Sequence, residues 1–193
     1  MRFESHDQTW QETHLDLRFR PVTLETMDGF TRFRSTHPSF ASCSCMRWRA
    51  RNADFQRATT ADRASAFDAL VEKGVPVGIL AYLDDSPVGW CSVAPRETFH
   101  GLKSSRNEDT RLWAVTCFFV DPLYRKNGVS VRLLKAAVEY ARSQGAKVIE
   151  GYPAESGHGP RSSAGSFSTF RKAGFRDVLA SGRKTRVMRN VVG

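Results

Sequence analysis

The sequence has no long hydrophobic run. Its longest nearly apolar stretch, residues 75–83, includes a proline and a glycine and falls far short of the roughly 20 residues that a membrane-spanning helix needs. The N-terminal sequence MRFESHDQTW has no apolar segment of the kind that secretory signals contain. Cysteine is also scarce, at 4 of 193 residues, which is too few for a disulfide framework. We therefore expect no membrane association and a reducing, cytoplasmic compartment.

Acidic side chains are almost absent from the C-terminal segment. Residues 161–193 carry eight basic side chains and a single acidic one, Asp177, in a chain whose net charge is +9. Such a segment attracts phosphate groups, on a nucleic acid or on a phosphorylated cofactor, or is simply a solvated basic face. No aromatic residue follows Arg183, although proteins that bind single-stranded nucleic acid interleave aromatic rings for base stacking. A nucleic-acid-binding module is therefore the less favoured alternative.

Hydrophobic residues make up 40% of the chain, enough for a folded core. Their spacing alternates between the strand period of two and the helix period of about 3.6. The predicted strands are residues 15–22, 77–83, 88–93, 112–120, 147–152, 175–179 and 185–192, and the predicted helices are residues 23–34, 60–73, 129–142 and 166–173. Thr23 and Thr60 are the expected N-caps of the first two helices. This alternation predicts an α/β fold with a mixed sheet.

The segment TCFFVDPLYRKNGVSVRLL, residues 116–134, predicts an anion site. It reads as an apolar strand, a turn and an amphipathic helix, and the start of a helix presents unpaired backbone N–H groups and the positive end of the helix dipole. Gly128 lets a ligand approach the backbone closely, and Arg125 and Lys126 add positive charge. The spacing matches neither G-x-x-x-x-G-K-[ST] nor G-x-G-x-x-G, so two common nucleotide-binding loops are excluded.

The remaining pattern, R-x-x-G-x-[small], resembles the cofactor motif [QR]-x-x-G-x-[GA] of the GNAT superfamily of acyl-CoA-dependent N-acetyltransferases, with Ser130 in place of the usual Gly or Ala. The resemblance covers about residues 75–192 and includes GILAYLDDSPVGWCSVAP and SFSTFRKAGFRDV. In addition, CSCMRWR, residues 43–49, resembles a Cys-x-Cys-Met-x-Trp segment of one branch of the family. The resemblance implies one GNAT domain over residues 1–193, with 1–74 as a divergent acceptor-side part. It also implies a mixed central sheet of about six to seven strands flanked by helices.

The resemblance implies acetyl-CoA as the cosubstrate and no metal. The cofactor-binding residues that it implies are Phe118, Phe119, Val120, Arg125, Lys126, Asn127, Gly128, Val129, Ser130, Ser166 and Phe170. The loop from Arg125 to Ser130 would hold the diphosphate, and the pantetheine arm would pair with the strand from Phe118 to Val120. The backbone amide of Phe119 or Val120 would donate to the carbonyl oxygen as it gains negative charge.

The implied reaction is direct attack of a neutral primary amine, on a small molecule or a peptide, on the thioester. An alkyl amine with a pKa of about 10.4 is mostly protonated at neutral pH, so a base or a water chain must take a proton. Glu150 is the first candidate for this base, and a solvent-facing strand carboxylate is the alternative. Many family members have a tyrosine as the acid four residues before the glycine of a Gly-Phe pair, where this chain has Phe170. Ser168, Thr169, Tyr152 or solvent must then replace it, or no acid is used.

Other interpretations remain open at this stage. Phe170 is compatible with a non-catalytic acyl-CoA sensor, and homodimers are common in the family. Cys43 and Cys45 lack the further ligands that a zinc site needs, and Cys117 reads as a small buried residue rather than as a nucleophile. Asp121 is expected to cap a turn. The two polar segments at residues 101–110 and 154–165 are expected to lie on the acceptor side.

Overall fold

The computed structural model describes residues 15–102, 111–153, 164–178 and 187–192. The strands are Leu17–Pro21 (β1), Ile79–Leu83 (β2), Ser86–Pro95 (β3), Leu112–Val120 (β4), Val148–Gly151 (β5), Arg176–Val178 (β6) and Val187–Val191 (β7). The helices are Met27–Thr36 (α1), Pro38–Ala41 (α2), Asn52–Arg57 (α3), Thr60–Glu72 (α4), Val129–Ser143 (α5) and Phe167–Lys172 (α6). Most of the two segments expected on the acceptor side, residues 101–110 and 154–165, lie outside the described residues.

All seven strands form one mixed sheet in the order β1-β2-β3-β4-β5-β7-β6. The pair β4 and β5 is parallel, and the other neighbouring pairs are antiparallel. The hairpin between β2 and β3 turns at Asp84 and Asp85, with Asp84 in the left-handed region at a φ of 51°. The turn is therefore tighter than the four residues predicted, and Ser86 and Pro87 belong to β3. The predicted mixed sheet of six to seven strands is confirmed.

Helices cover both faces of the sheet and give it two main apolar cores. On one face, α5 buries Leu133, Leu134 and Ala137 against strand residues that include Val93 and Val115. On the other face, the aromatic rings of Phe30, Phe67 and Trp90 pack together, with Phe30 and Phe67 stacked at a centroid distance of 4.2 Å. Burial of each such side chain stabilises the fold by about 1.5–3 kcal/mol. None of the helices within the described ranges is long and apolar enough to cross a membrane.

The starts of the first long helices differ from the sequence predictions. Helix α4 is capped by Thr59 rather than by Thr60: the Thr59 hydroxyl accepts a hydrogen bond from the N–H of Asp62 at 3.1 Å. The Asp62 carboxylate in turn accepts from the Thr59 N–H at 2.8 Å, which completes a capping box. Residues 24–26 form a 3-10 turn before α1 begins at Met27. The short helices α2 and α3 were not predicted, because four to six residues are too few to establish a periodicity.

Candidate active site

The two parallel strands β4 and β5 are paired over only part of their length. The register runs from Leu112 opposite Val148 to Val115 opposite Gly151, where β5 ends. Strand β4 continues for five more residues, 116–120, of which residues 117–120 pair with β3 on their other side. No described strand pairs with this part of β4 on the side toward β5. Its backbone N–H and C=O groups therefore form an edge to which an extended ligand can add.

A β-bulge in β4 marks the place where the two strands part. Ser92 of β3 is opposite Cys117, but the next residue, Val93, is opposite Val115, so Thr116 is the extra residue. Bulges bend a strand and increase its local twist. Beyond the bulge, Phe118 packs on the α5 side of the sheet and Cys117 on the side of α1 and α4. The bulge therefore bends β4 where its pairing with β5 ends, and it changes the direction of the β4 side chains there.

The loop that follows β4 presents unpaired amides at the N-terminus of α5. Lys126 and Gly128 both lie in the left-handed region, with φ values of 67° and 71°, and such alternating conformations create a concave nest of N–H groups. No described residue accepts a hydrogen bond from the backbone N–H groups of residues 126–130. A Cβ at Gly128 would meet nothing within 4 Å, so the nest opens outward. The arrangement suits a phosphate or another anion.

Arg125 joins this loop to the end of β4. Its Nε donates a hydrogen bond to the carbonyl oxygen of Val120 at 3.0 Å, and its guanidinium lies 5.9 Å from the ring centre of Phe119. Asp121 caps the intervening turn, because its carboxylate accepts from the N–H of Leu123 at 2.9 Å, as predicted. The anion nest therefore keeps a defined position at the outer end of the β4 edge.

A buried charge network lies where β5 ends. Glu150 is fully buried, and its Oε1 accepts from Nη2 and Nε of Arg189 on β7 at 2.6 and 2.9 Å. Its Oε2 accepts from the hydroxyl of Tyr152 at 2.6 Å. The Tyr152 oxygen in turn accepts from Nε of Arg96 at 3.1 Å. Glu150 is therefore not the solvent-facing carboxylate that the sequence left as an alternative, because both of its oxygens are engaged inside the protein.

Tyr152 connects Glu150 to Arg96 within this network. It is one residue beyond the last residue of β5 and packs, half-buried, against a small cluster that includes Phe99 and Ala114. Burial raises the pKa of Tyr152, and the neighbouring Glu150 raises it further. The hydroxyl therefore stays protonated at neutral pH and holds its hydrogen toward Glu150.

Residues 42–156 match the model of the Acetyltransferase (GNAT) family, and this range is more than half of the chain. The chain belongs to the GNAT acetyltransferase family. No curated protein matches it. The predicted family is confirmed, whereas the finer assignment to a branch with a Cys-x-Cys-Met-x-Trp segment stays a prediction.

Solved structures share the GNAT fold. The aminoglycoside acetyltransferase AAC(6')-Ib, in complex with coenzyme A and kanamycin, is 17% identical with a TM-score of 0.59, over 91% of this chain and 94% of that one. A ribosomal-protein-alanine N-acetyltransferase from Brucella melitensis is 17% identical with a TM-score of 0.56, over 91% and 99%. YncA from Salmonella typhimurium, with its cofactor acetyl-CoA, is 16% identical with a TM-score of 0.54, over 91% and 93%. At these identities the likeness concerns the fold alone.

The loop residues predicted from the GNAT motif lie at the nest, and all but one of their side chains are at least partly exposed. The exposed part of the loop, residues 125–128, lies at the nest, together with the half-buried Ser130, whereas the side chain of Val129 is buried and leaves only its N–H for a ligand. Ser166 caps α6 through a hydrogen bond from the N–H of Thr169 at 3.2 Å.

Within the described ranges, no cluster of three or more His, Cys, Asp or Glu side chains is arranged to hold a metal ion.

Phe170 has a different place from the one that the family motif implies. Its ring is fully buried, edge-to-face with Phe118 at 5.8 Å and with Phe175 at 5.0 Å. It also covers Gly151, where any side chain would collide with the ring. With no accessible surface, Phe170 packs beneath the end of β5, and its contact with the cofactor stays a prediction.

Arg96 and Arg189 are the two members of the network that sequence reasoning missed. Arg189 belongs to the basic C-terminal segment, and only the strand register shows that it is opposite Glu150. Arg96 follows β3 and is close in space to β5 but far from it in sequence. A lone arginine in a basic segment gives no signal of such a partner, so the three-dimensional register was needed to find both.

Proposed function

We propose that this GNAT protein transfers the acetyl group of acetyl-CoA to a primary amine on a small molecule or a peptide, by direct attack of the amine on the thioester. One observation carries the proposal: the unpaired edge of β4 at residues 116–120 ends at the amide nest of residues 126–130. A strand edge and an anion site in line suit a ligand that joins an extended amide-bearing arm to a diphosphate. Coenzyme A is such a molecule.

The residues at this cleft fit the donor. Five residues of strand edge extend over about 16 Å, room for an arm whose amides pair with the β4 backbone. The diphosphate would lie on the N–H groups at the start of α5, beside the exposed charges of Arg125 and Lys126. Ser130, where the family usually has a smaller residue, is compatible because its side chain is short and polar. Acetyl-CoA supplies the activated acetyl group, and the chain supplies binding and proton transfer.

We assign Tyr152 the contact with the acceptor amine and Glu150 the role of proton acceptor behind it. The Tyr152 oxygen can take a proton from the attacking amine while its own hydrogen passes to Glu150 over the 2.6 Å hydrogen bond. Arg189 holds the carboxylate in place for this relay. In this relay Glu150 remains the final proton acceptor and acts through Tyr152, since Glu150 has no accessible surface.

The acceptor side is proposed to be the N-terminal part of the chain, up to residue 74, and the segments near Trp48 and Phe99. The N–H of Gly101 donates to the carbonyl of Trp48 at 2.8 Å, so these two segments are tied together beside Tyr152. Aminoglycosides and peptide N-termini are both amines that a neighbour's name mentions or implies. They are therefore the first acceptors to test.

Donor binding is tested by thermal denaturation with and without coenzyme A. At 100 times its dissociation constant, a ligand stabilises the folded state by about 2.7 kcal/mol, which in a chain of this length raises the melting temperature by about 5–11 °C. We expect this shift in the native protein and its loss in Gly128→Glu, because a carboxylate at the nest repels phosphate and fills the approach. Unchanged coenzyme A affinity in Gly128→Glu would refute the loop assignment.

Gly145→Glu is the matched control. Gly145 lies just beyond the other end of α5 and has a φ of 86°, and a Cβ at this position, like one at Gly128, would meet nothing within 4 Å. Both substitutions therefore carry the strain of a left-handed side chain, about 1–2 kcal/mol, without a steric clash. Gly145→Glu should keep the full shift with coenzyme A.

Catalysis is tested by the release of coenzyme A thiol from acetyl-CoA in the presence of a panel of amines. An aminoglycoside, a free amino acid and a peptide with an unblocked N-terminus cover the main acceptor classes. Thiol release with at least one of them is the expected result. Binding of coenzyme A with no release for any amine would instead favour a non-catalytic acyl-CoA sensor.

A further inference from the structure

Cys45 is held in a backbone conformation that non-glycine residues rarely adopt. Ser44 and Cys45 both have positive φ values, 42° and 55°. Each such residue costs about 1–2 kcal/mol relative to the right-handed form, so the surrounding structure must hold them there. The hydroxyl of the fully buried Ser44 donates to the carbonyl of Ala41 at 2.9 Å and fixes this turn. The result is a thiol at Cys45 that points into the protein, with 4% of the residue exposed.

Two neighbouring groups oppose, without overcoming, the effect of burial, which disfavours negative charge on the Cys45 sulfur. Nε1 of Trp90 donates a hydrogen bond to the Cys45 sulfur at 2.8 Å. Arg49 is also buried and interacts electrostatically with Cys45. Its guanidinium donates to the carbonyls of Pro76 and Val77 but, within the described part of the chain, pairs with no carboxylate. Burial lowers the pKa of Arg49 to about 10, the sign of a cation short of a counter-ion.

The second thiol at this place belongs to Cys117. Its side chain lies on the same face of the sheet as Cys45, partly buried, and the two thiols are in hydrogen-bond contact. Cys117 is the residue directly after the β4 bulge, on the strand whose other edge forms the cleft. Burial raises the pKa of the Cys45 thiol well above its ordinary value, and the contact with Cys117 adds to this. Cys117, which is partly exposed, is therefore more accessible to a reagent than the buried Cys45.

We propose that Cys45 and Cys117 form an oxidation site that low-molecular-weight disulfides such as glutathione disulfide convert to an intramolecular disulfide. The Cys117 thiolate attacks one sulfur of glutathione disulfide, forms a mixed disulfide and releases one glutathione thiolate. Cys45 then loses its proton to solvent and attacks the Cys117 sulfur, which releases the second glutathione. Two protein thiols are oxidised, and one glutathione disulfide is reduced to two thiols.

The new bond would connect two parts of the molecule that face each other across the acceptor side. Cys45 belongs to the segment that leads to Trp48 and Arg49, whereas Cys117 belongs to the donor strand β4. Because the two thiols are in contact, the effective concentration of Cys45 at the Cys117 mixed disulfide is high. This proximity compensates for the weak acidity of the Cys45 thiol. The site is independent of the proposed acetyl transfer, since the chemistry needs only the two thiols and the oxidant.

The test uses the full chain, reduced and then incubated with glutathione disulfide. Remaining thiols are alkylated, and the intact mass and the linked peptides are measured. The expected product lacks two hydrogens, has two alkylated cysteines instead of the four free ones, contains a Cys45–Cys117 peptide, and returns to four on treatment with dithiothreitol. Closure should also be faster at higher pH, since the reaction requires the thiolates.

Variants separate this pair from general thiol chemistry. Cys45→Ser should keep glutathione on Cys117 as an adduct, because the thiol in contact with Cys117 is then absent. Cys91→Ser should close like the native protein, since Cys91 is buried on the opposite face of the sheet. A native protein that keeps four alkylatable thiols, accumulates only glutathione adducts, or forms a bond between other cysteines would overturn the proposal.

Discussion

Gly151 lies at the point where β4 and β5 part. Position 151 has no room for a side chain, because the Phe170 ring occupies the space that a Cβ would need. A Cβ at position 151 would lie 2.6 Å from Cδ1 and 2.8 Å from Cζ of that ring, and closer still to Cε1. The ring is held between Phe118 and Phe175 and has no exposed surface into which it could move. Gly151→Ala therefore forces either the ring or the end of β5 to shift.

The magnitude follows from overpacking. Extra methyl or methylene groups in a well-packed core typically cost about 1–3 kcal/mol. In a chain of this length, that loss lowers the melting temperature by about 2–12 °C. Gly89→Ala on β3 is the matched control, because a Cβ there would be at ordinary contact distances, 3.5 Å from Leu133 and 3.6 Å from Ala81. Where the new side chain fits, replacement of glycine by alanine stabilises by about 0.4–1 kcal/mol.

The assay is thermal and urea denaturation followed by circular dichroism for the native protein and both variants. We expect opposite signs, with Gly151→Ala less stable and Gly89→Ala slightly more stable than the native protein. A double variant, Gly151→Ala with Phe170→Leu, should be more stable than the sum of the two single effects predicts, with a coupling of about 0.5–3 kcal/mol. Equal melting temperatures for Gly151→Ala and Gly89→Ala would refute the placement of the Phe170 ring.

Two further predictions concern the proton relay and the cap of α4. Tyr152→Phe removes the hydroxyl but leaves the Glu150–Arg189 pair. Steady-state kinetics should show kcat reduced by about 100-fold or more, whereas the thermal shift with coenzyme A should be retained. An unchanged kcat would remove Tyr152 from the mechanism. Thr59→Ala should cost about 1 kcal/mol at pH 7, measured by urea denaturation. Hydrogen bonds from the backbone N–H and the hydroxyl of Thr59 lower the pKa of Asp62 from its ordinary 3.8. The stabilisation from these hydrogen bonds is complete above pH 3.8 and is lost as the pH falls through the lower pKa of Asp62 in the folded state. The difference in unfolding free energy between Thr59→Ala and the native protein should therefore be smaller at pH 3 than at pH 7. An equal difference at the two pH values would contradict this.

The parts of the molecule that the sequence predicted well are those with a strong local pattern. The apolar run of β4 and the amphipathic face of α5 are long enough to determine their own limits, and Gly128 lies between them where the sequence places the turn. These elements also carry the family motif. The strand and loop of the candidate site were therefore accessible from residue order alone.

The parts that the sequence did not predict depend on contacts between distant segments. The pairing of Glu150 with Arg189 requires the register of β5 and β7, and the left-handed turn at Cys45 has no glycine to announce it. The family motif implies a ligand contact for Phe170, yet its burial depends on Gly151 and Phe118, which lie on two other elements. Local patterns carry no information about such partners, because the partner is chosen only when the sheet assembles.

The parallel seam divides the sheet into a four-stranded half, β1 to β4, and a three-stranded half, β5, β7 and β6. Among the described residues, four residue pairs join these halves along the strands, from Leu112 with Val148 to Val115 with Gly151. A ligand that adds to the rest of the β4 edge extends this short seam with its own hydrogen bonds. Such a ligand would therefore also help to hold the two halves of the sheet together, in the way that an additional strand would.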